Sequence, residues 1–239
     1  MAALAGSERL SSVRDLNLAM NEVCVEGAQA LASSKWLTKL EKLQLDETSS
    51  YHCTMGARGT AALVESPNAA NLRELILGGQ KIGDEGAWAI ASAEGLDNLE
   101  RLILYDNMIS GRGVEGLASA PHLSRLKTLV LNGNPIGDRG VTALATSPHM
   151  SGLEVLMIVN VGATDDGVIP LAQSEHISRL RELDVRQNAI GDATARYISM
   201  SRWLGSMRML AMRGGNVSDM GYERIERAQG WHREARLIR

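Results

Sequence analysis

Leucine recurs at a fixed spacing of 27 residues through most of this 239-residue sequence. A fixed period of this length indicates stacked copies of one small unit, each of which buries its apolar side against its neighbours. Only the step from the second to the third leucine is longer, at 32 residues. The leucines in this register are Leu16, Leu43, Leu75, Leu102, Leu129, Leu156, Leu183 and Leu210. We therefore expect one elongated domain over residues 1–239.

One repeat combines a strand pattern with a helix pattern. In the fifth copy, Leu126, Leu129 and Leu131 alternate with variable residues, as the buried side of a strand does. Asn134 follows at a turn, where its side chain can bond backbone amides. Asp138 precedes an apolar helical stretch, as an N-cap residue would. We expect copies that start near residues 13, 40, 72, 99, 126, 153, 180 and 207, and a partial ninth copy from residue 234.

The pattern LxxLxLxxN, followed by I-G-D-x-G and a helical segment, resembles the leucine-rich repeats and specifically their ribonuclease-inhibitor-like class. The resemblance covers roughly residues 10–239. It implies an α/β fold, a right-handed curved β-α solenoid (a leucine-rich repeat horseshoe) of about eight repeats. The parallel strands would line its concave face and the helices its convex face. Layer spacing gives the same curvature, because adjacent strands lie about 4.8 Å apart whereas packed helices need roughly 8–10 Å.

Some copies depart from this pattern, and we expect their turns to be less regular. The residues that replace the turn asparagine are Thr48, Gln80, Val161 and Gly215. The second copy also carries five additional residues around 48–54, where Tyr51 and His52 could contact a partner. Neutral drift explains such an insertion equally well, because insertions in surface loops cost little free energy. No polar end-cap is evident, so either the arginine-rich tail covers the last repeat or the chain belongs to something longer.

Composition and charge argue against several classes of protein. The net charge of −3 predicts no general affinity for nucleic acid or anionic lipid. No segment approaches 18 apolar residues, so we expect no membrane span, and residues 1–12 lack a signal-peptide pattern. Cys24 and Cys53 lie in different repeats and form no metal or redox spacing, which favours a reduced, cytoplasmic setting.

One glycine-rich stretch matches a nucleotide-binding pattern. Gly111, Gly113 and Gly116 fit GxGxxG between a predicted strand and a predicted helix, a pattern typical of dinucleotide sites. The repeat explains these residues better, because Gly113 is the template glycine that corresponds to Gly86 and Gly140. We therefore expect no cofactor at this position.

Recurring histidines and acidic residues also have an explanation within the repeat. His122, His149 and His176 are 27 residues apart, but no carboxylate or cysteine recurs with them to complete a metal site. The recurring acids could form acid–base pairs, but their position before each helix favours N-caps. These acids are Asp84, Asp138, Asp192 and Asp219. We predict no catalytic residue, no metal and no cofactor.

Side chains between the conserved leucines point away from the core, onto the predicted concave face. Four consecutive copies place an apolar residue at the central position, which is typical of a protein-binding patch. The alternative is that isoleucine and valine favour strands for their own sake. The predicted partner-binding residues are Ile76, Ile103, Tyr105, Asp106, Val130, Met157, Val159 and Arg186. Among them, Asp106 and Arg186 would set the partner's orientation.

Charge is distributed unevenly along the chain. Residues 202–239 hold eight arginines against four acidic side chains. On the predicted concave face the acids lie toward the first half and the arginines toward the second: Asp15, Asp46, Glu47, Glu74 and Asp106, then Arg186 and Arg213. Such a field would orient a polarised partner, although an ordinary solvated surface could look the same.

The sequence thus predicts a non-enzymatic, monomeric, cytoplasmic module that binds a protein partner. It predicts no nucleic-acid partner, no membrane contact and no small-molecule substrate. A first alternative is regulatory, since some proteins of this repeat class activate GTPases. That role needs a positioned arginine or polar group, and Arg112 and Arg139 lie beside predicted helix starts. A second alternative is the recognition part of a longer effector or ligase whose chemistry lies elsewhere.

Overall fold

The computed structural model describes residues 1–47, 53–232 and 234–239. In this part of the chain, short strands and helices alternate. The strands are β1 (Asp15–Asn17), β2 (Lys42–Gln44), β3 (Glu74–Ile76), β4 (Arg101–Ile103), β5 (Thr128–Val130), β6 (Val155–Met157), β7 (Glu182–Asp184), β8 (Met209–Ala211) and β9 (Arg236–Ile238). The helices are α1 (Ala2–Ala5), α2 (Val25–Ala32), α3 (Gly56–Val64), α4 (Gly83–Ser92), α5 (Gly111–Ala118), α6 (Gly137–Thr146), α7 (Asp165–Gln173), α8 (Asp192–Ile198) and α9 (Asp219–Glu226).

The strands form one open parallel sheet whose order follows the chain from β1 to β9. Each register leucine pairs with the register leucine of the next repeat, from Leu16 with Leu43 to Leu210 with Leu237. The 27-residue period of the sequence is therefore the strand register of the sheet. The predicted α/β solenoid is confirmed, and β9 confirms the partial ninth copy.

A continuous apolar layer lies between the strands and the helices. Leu102, Leu129 and Leu156 are at most 1% exposed, and leucine, isoleucine, valine, alanine and methionine supply nearly all of this core. Burial of one such leucine contributes about 2–3 kcal/mol. Each repeat is thin, so most of that burial comes from its two neighbours. Among the described residues, no helix has the length and hydrophobicity needed to cross a bilayer.

Buried asparagines connect several turns to the preceding repeat. The Asn134 side chain accepts hydrogen bonds from the backbone N–H groups of Asn107 and Ile109, at 2.9 and 3.0 Å. It also donates to the Leu104 carbonyl at 2.8 Å. Asn107 and Asn188 make similar bonds to the repeats that precede them. These bonds satisfy buried backbone groups that would otherwise destabilise the turn.

Two of the predicted irregular turns have different outcomes. Gln80 is fully buried, accepts from the Met55 N–H at 3.0 Å and donates to the Leu45 carbonyl. The expectation of irregularity is wrong there, because the longer amide side chain reaches the same groups as asparagine does. Val161 has no side-chain oxygen, and the preceding turn closes on its own backbone, from Ile136 N–H to the Asn134 carbonyl. Thr48 lies outside the described residues.

Three of the four recurring aspartates, Asp84, Asp138 and Asp192, cap the helix of the next repeat and not their own. The sequence predicts that each caps the helix in which it lies, and this is wrong. Asp84 accepts from the Ser110 backbone N–H at 2.7 Å and from the Gly113 N–H at 3.1 Å, both at the start of α5 in the next repeat. Asp138, Asp165 and Asp192 cap the following helix in the same way. Capping therefore holds neighbouring repeats together.

Two helices whose preceding repeat lacks the capping aspartate begin with glycine instead. Gly83 and Gly137 begin α4 and α6 with φ of +61° and +57°, a left-handed conformation that glycine adopts without a steric penalty. Their N–H groups donate forward instead, to the carbonyls of Asn107 and Val161 at 3.0 and 2.9 Å. Both kinds of helix start are therefore satisfied by an adjacent repeat.

The first helix and the arginine-rich tail pack against the outermost repeats. Ala5, in α1, is buried, and its carbonyl accepts from the Ser34 hydroxyl at 2.6 Å. This is the bond that the Ala118 carbonyl accepts from Ser147, so α1 takes the place of a repeat helix. At the other end, β9 joins the sheet and the Arg239 guanidinium lies 5.4 Å from the centre of the Tyr222 ring.

Removal of a cross-repeat cap should destabilise the protein measurably. We expect Asp138→Ala to lower the free energy of unfolding by about 1–2 kcal/mol, because the Thr164 N–H and hydroxyl lose their acceptor. Urea unfolding followed by circular dichroism measures the change. Asp219→Ala is the matched control, since no described helix follows α9, and it should cost less than half as much. Equal losses would contradict the cross-repeat role.

Acidification should weaken the junction between the last two helices. Bonds from the Ser218 hydroxyl and backbone N–H hold the pKa of the Asp192 carboxyl below its ordinary value of 3.8. Because the pKa of Asp192 is lower in the folded chain than in the unfolded chain, its ionised carboxylate stabilises the fold above about pH 4. This stabilisation is lost as the pH falls through the folded pKa. An NMR titration should show the lowered midpoint, and Ser218→Ala should move it back toward 3.8. A titration midpoint of 3.8 for Asp192 in the unmodified chain would contradict the prediction.

Candidate functional site

The sheet face is the side of the sheet formed by the side chains that flank each register leucine, such as Thr128 and Val130 beside Leu129. The strands pair in register, so equivalent side chains form straight columns across it. The central column is Asn17, Gln44, Ile76, Ile103, Val130, Met157, Asp184, Ala211 and Ile238. The four predicted apolar anchors in this column are therefore direct neighbours.

These anchors differ in exposure. Ile76 is only 8% exposed, whereas Ile103, Val130 and Met157 are half-buried. Val155 and Val159 flank Met157 along the chain and are half-buried as well. We call this set the apolar patch: Ile76, Ile103, Val130, Val155, Met157 and Val159. It spans β3 to β6, and most of its members retain apolar surface that a partner could bury.

Tyr105 lies flat across the neighbouring repeat. Its ring covers Gly78, where any added Cβ atom would overlap the ring. Its hydroxyl donates to Asp46 at 2.7 Å, two repeats away in the sheet. Burial of the ring, together with this bond to Asp46, raises the pKa of the Tyr105 phenol above its ordinary value of 10. The ring is a fixed, half-buried border of the apolar patch.

Asp106 lies beyond the end of β4, at the rim of the sheet face. Its backbone has φ of +52°, and its N–H donates to the Asn132 carbonyl at 2.8 Å. Its carboxylate lies over Gly133, where a side chain would overlap it. The residue is exposed, so this carboxylate is accessible from the rim.

Arg186 makes an ion pair within its own repeat. Its guanidinium binds Asp184 through Nε at 2.9 Å and through a terminal nitrogen at 2.6 Å. Asp184 is only 3% exposed, and its hydrogen bond raises the pKa of the Arg186 guanidinium. The predicted orienting charge is therefore largely neutralised in place. Arg213, in the next repeat, is exposed and makes no ion pair with the described residues.

The predicted acidic half of the face is also internally compensated. Glu74 lies between Lys42 at 3.7 Å and Arg101 at 3.4 Å. Asp46 accepts from Gln44 at 2.8 Å in addition to the Tyr105 hydroxyl. Most of the predicted charge asymmetry is thus cancelled at the sheet face itself, and Asp15 and Asp106 remain exposed.

A ladder of alternating charge borders the sheet face and was missed in the sequence. Arg73 and Lys127 both bind Glu100, at 2.9 and 2.7 Å, and the Lys127 bond lowers the pKa of the Glu100 carboxyl. The same column continues on either side with pairs of opposite charge. Its members are Arg14, Glu41, Arg73, Glu100, Lys127, Glu154 and Arg181. The signal was present, because charges of alternating sign recur at the repeat spacing.

The glycine-rich stretch has no room for a dinucleotide phosphate. The start of α5 already binds the Asp84 carboxylate through Ser110 and Gly113. A side chain at Gly113 would overlap Asp84, and one at Gly116 would overlap Trp88. These glycines permit close packing between repeats, as the repeat interpretation predicts.

The arginines considered for GTPase activation are engaged on the helical side. Arg139 binds Glu115 through two nitrogens, at 2.6 and 2.5 Å. Arg112 stacks on Trp88, with 5.5 Å from its guanidinium to the ring centre. Both guanidinium groups are therefore engaged with neighbouring side chains, and Arg139 also lines a concavity on the helical side.

The recurring histidines do not meet other ligating groups. His122 contacts the Ile90 carbonyl at 3.2 Å. Among the described residues, no three histidine, cysteine, aspartate or glutamate side chains come close enough to hold a metal ion. A concavity of about 760 Å³ lies between α5, α6 and α7, on the helical side and away from the sheet face. The insertion residues Tyr51 and His52 lie outside the described residues.

The two cysteines are bonded to each other, whereas the sequence predicts that they are unpaired. Cys24 and Cys53 are joined as a disulfide with a Cα–Cα distance of 5.2 Å. The expectation that they form no redox pair is wrong. They are 29 residues apart in the chain, but the stacking of repeats brings the start of α2 next to the residues before α3.

The Tyr105 bond to Asp46 gives a spectroscopic test of the sheet face. In Asp46→Asn the carboxylate charge is lost, so the pKa of the Tyr105 phenol should fall toward 10. The ring remains over Gly78, so the shift should be partial. An NMR titration of ring-labelled tyrosine measures it, and Tyr105→Phe identifies the signal. An unchanged Tyr105 midpoint in Asp46→Asn would show that the bond does not form.

Comparisons with known proteins agree with this architecture. A family profile described as "Leucine Rich repeat" matches residues 9–32, 68–91, 122–145 and 177–199. No curated protein matches the chain. The structure of internalin C2 from Listeria monocytogenes is similar, with a TM-score of 0.62 and 22% identity, over 97% of this chain and 84% of that chain.

Internalin F from the same organism is similar as well. It has a TM-score of 0.62 and 17% identity, over all of this chain and 63% of that chain. The present chain thus spans less than two thirds of internalin F. At these identities the likeness concerns the fold. Together with the strand register and the four matched repeats, it shows that this chain has the leucine-rich repeat fold.

Proposed function

We propose that this chain is a non-enzymatic, monomeric module that binds a protein partner on its sheet face, the concave side of the solenoid. Repeat solenoids in general offer extended surfaces for protein partners. The α-helix that follows each of the strands β1 to β8 supports the ribonuclease-inhibitor-like class. The proposal includes no nucleic-acid partner, because the net charge is −3.

The observation that carries the proposal is the apolar patch. The central column is polar or charged at Asn17, Gln44 and Asp184, so the fold does not demand an apolar side chain there. Four consecutive repeats nevertheless present Ile76, Ile103, Val130 and Met157. Burial of their remaining exposed area against a partner would contribute at about 25 cal/mol per Å², and such clusters usually dominate binding energy.

The surroundings of the apolar patch support the same function. Tyr105 borders it on one side and the Asp184–Arg186 pair on the other. The charge ladder runs along its margin. A polar rim around an apolar centre is the usual composition of a protein interface. Compensation of the rim charges means that a partner need not desolvate an unpaired ion at the centre.

An enzymatic role has less support from the same geometry. Asp84 fills the helix start at the GxGxxG stretch, and Arg112 and Arg139 are already engaged. Asp84, Asp138 and Asp192 accept bonds from backbone amides of the next repeat and are not paired with one another. These groups serve the packing of repeats.

Charge placed in the apolar patch should abolish partner binding. We expect the double variant Ile103→Asp and Val130→Asp to weaken binding at least 100-fold, because two carboxylates would be desolvated at the centre of the interface. The unmodified chain and the variant are used to capture proteins from the host organism. The retained partner is then purified, and its dissociation constant is measured by calorimetry.

The control places the same two charges elsewhere. Met108 and Met200 are 67% and 61% exposed and lie outside the apolar patch, so Met108→Asp with Met200→Asp should bind as the unmodified chain does. Circular dichroism must show that both variants are folded. A partner that binds the patch variant with unchanged affinity, or that is lost equally from the control, would contradict the proposed site.

A further inference from the structure

We call the column of buried turn amides Gln80, Asn107, Asn134 and Asn188 the asparagine ladder, and the disulfide lies where this column is interrupted in the second repeat. Counting back six residues from the template glycine of a helix gives Asn107 from Gly113 and Asn134 from Gly140. The same count from Gly59, in α3, gives Cys53. The insertion in the second repeat hides this equivalence when residues are counted from the strand. Cys53 therefore occupies the ladder position of its repeat.

The bond that Cys53 makes has the same direction as the ladder bonds. Asn134 reaches back to the Ile109 N–H, two residues before α5 in the preceding repeat. Cys53 reaches back to Cys24, the residue before α2 in the preceding repeat. A covalent bond thus stands where a side-chain hydrogen bond connects the repeats further along the chain. The Cα–Cα distance of 5.2 Å is within the usual range for disulfides.

The first repeat lacks the aspartate cap and the turn amide that join the central repeats, and the side-chain bonds across its junction include those of Ser66 and Asn68 to the Ala32 and Ser34 carbonyls. Leu16 and Leu18 are only half-buried, whereas Leu102 and Leu104 are fully buried. Neither α2 nor α3 contains an aspartate at the position that caps the next helix. A polar contact that crosses this junction near the turn runs from the Glu22 N–H to the Glu47 carboxylate at 3.2 Å.

We propose that the Cys24–Cys53 disulfide is a redox-dependent latch that holds the first repeat on the second, and that reduction releases the first repeat while the others stay folded. The repeats are stabilised largely by their nearest neighbours, so the loss of one junction at the end of the stack need not spread. The first repeat supplies Asp15 and Asn17 to the sheet face, so its release would shorten that face at one end.

The chemistry is thiol–disulfide exchange with a small or protein disulfide as oxidant. The two cysteine thiols lose two protons and two electrons as their S–S bond forms. The oxidant disulfide takes up these protons and electrons, and its own S–S bond is cleaved to two thiols. A dithiol reductant reverses both changes. The expected cytoplasmic setting rested on unpaired cysteines, and their pairing removes that reason, because lasting disulfides belong to oxidising compartments.

A thiol count tests whether the latch is closed in the protein as it exists. The chain is isolated from its host in the presence of iodoacetamide and its mass is measured. We expect no alkylated cysteine before reduction and two after reduction with dithiothreitol. Two alkylated cysteines in the unreduced protein would overturn the proposal.

Hydrogen exchange tests what the latch holds. With dithiothreitol, amide exchange should accelerate at least about tenfold in residues 15–32, and less than twofold in residues 99–145. Exchange that is unchanged throughout, or that accelerates equally in all repeats, would overturn the proposal. Cys24→Ser with Cys53→Ser should show the fast exchange without any reductant.

A matched variant tests the equivalence with the ladder. Cys24→Ser with Cys53→Asn places the ladder residue at the ladder position, so its first repeat should exchange more slowly than in the double serine variant. Dithiothreitol should have no effect on it. If the asparagine variant exchanges as fast as the serine variant, Cys53 does not occupy a ladder position, and the proposed latch geometry is wrong.

Discussion

Side-chain hydrogen bonds that cross from one repeat to the next hold this stack together, because each turn and each helix start leaves backbone amides that face a neighbour. Asn134 satisfies amides of the fourth repeat, and Asp138 satisfies the start of α7. An unpaired buried amide costs about 1–3 kcal/mol. Apolar burial between repeats has no direction, whereas these bonds fix how far and at what angle each repeat is placed on the next.

The fixed placement has a direct consequence for the sheet face. Leucine pairs with leucine from β1 to β9, so each side chain on the face has known neighbours one strand away. The apolar patch is formed by residues of four adjacent strands that this register aligns, and no single strand contains it. The ion pairs of the face follow the same geometry, since Glu74 meets Lys42 and Arg101 on the two adjacent strands.

The sequence-based predictions failed where a side chain acts outside its own repeat. Gln80 looked like an irregular substitution because the pattern records residue type, whereas the turn needs only an amide that reaches Met55 and Leu45. The aspartates looked like caps of their own helices because an N-cap is defined within one helix. Arg186 is a different case, because its partner Asp184 lies in the same repeat, two residues away on the same face of the strand, where the sequence already placed an opposite charge.

The sequence alone is enough to predict the period, the alternation of strand and helix, the parallel sheet with its ninth strand and the residues of the central column. It could do so because leucine spacing directly reflects strand register. The three-dimensional structure was needed to show which repeat each polar side chain contacts, that Tyr105 lies across Gly78 to reach Asp46, and that Cys24 is bonded to Cys53. These contacts join residues about 25–60 positions apart, and their partners depend on how one repeat is rotated and shifted against another, which no local pattern encodes.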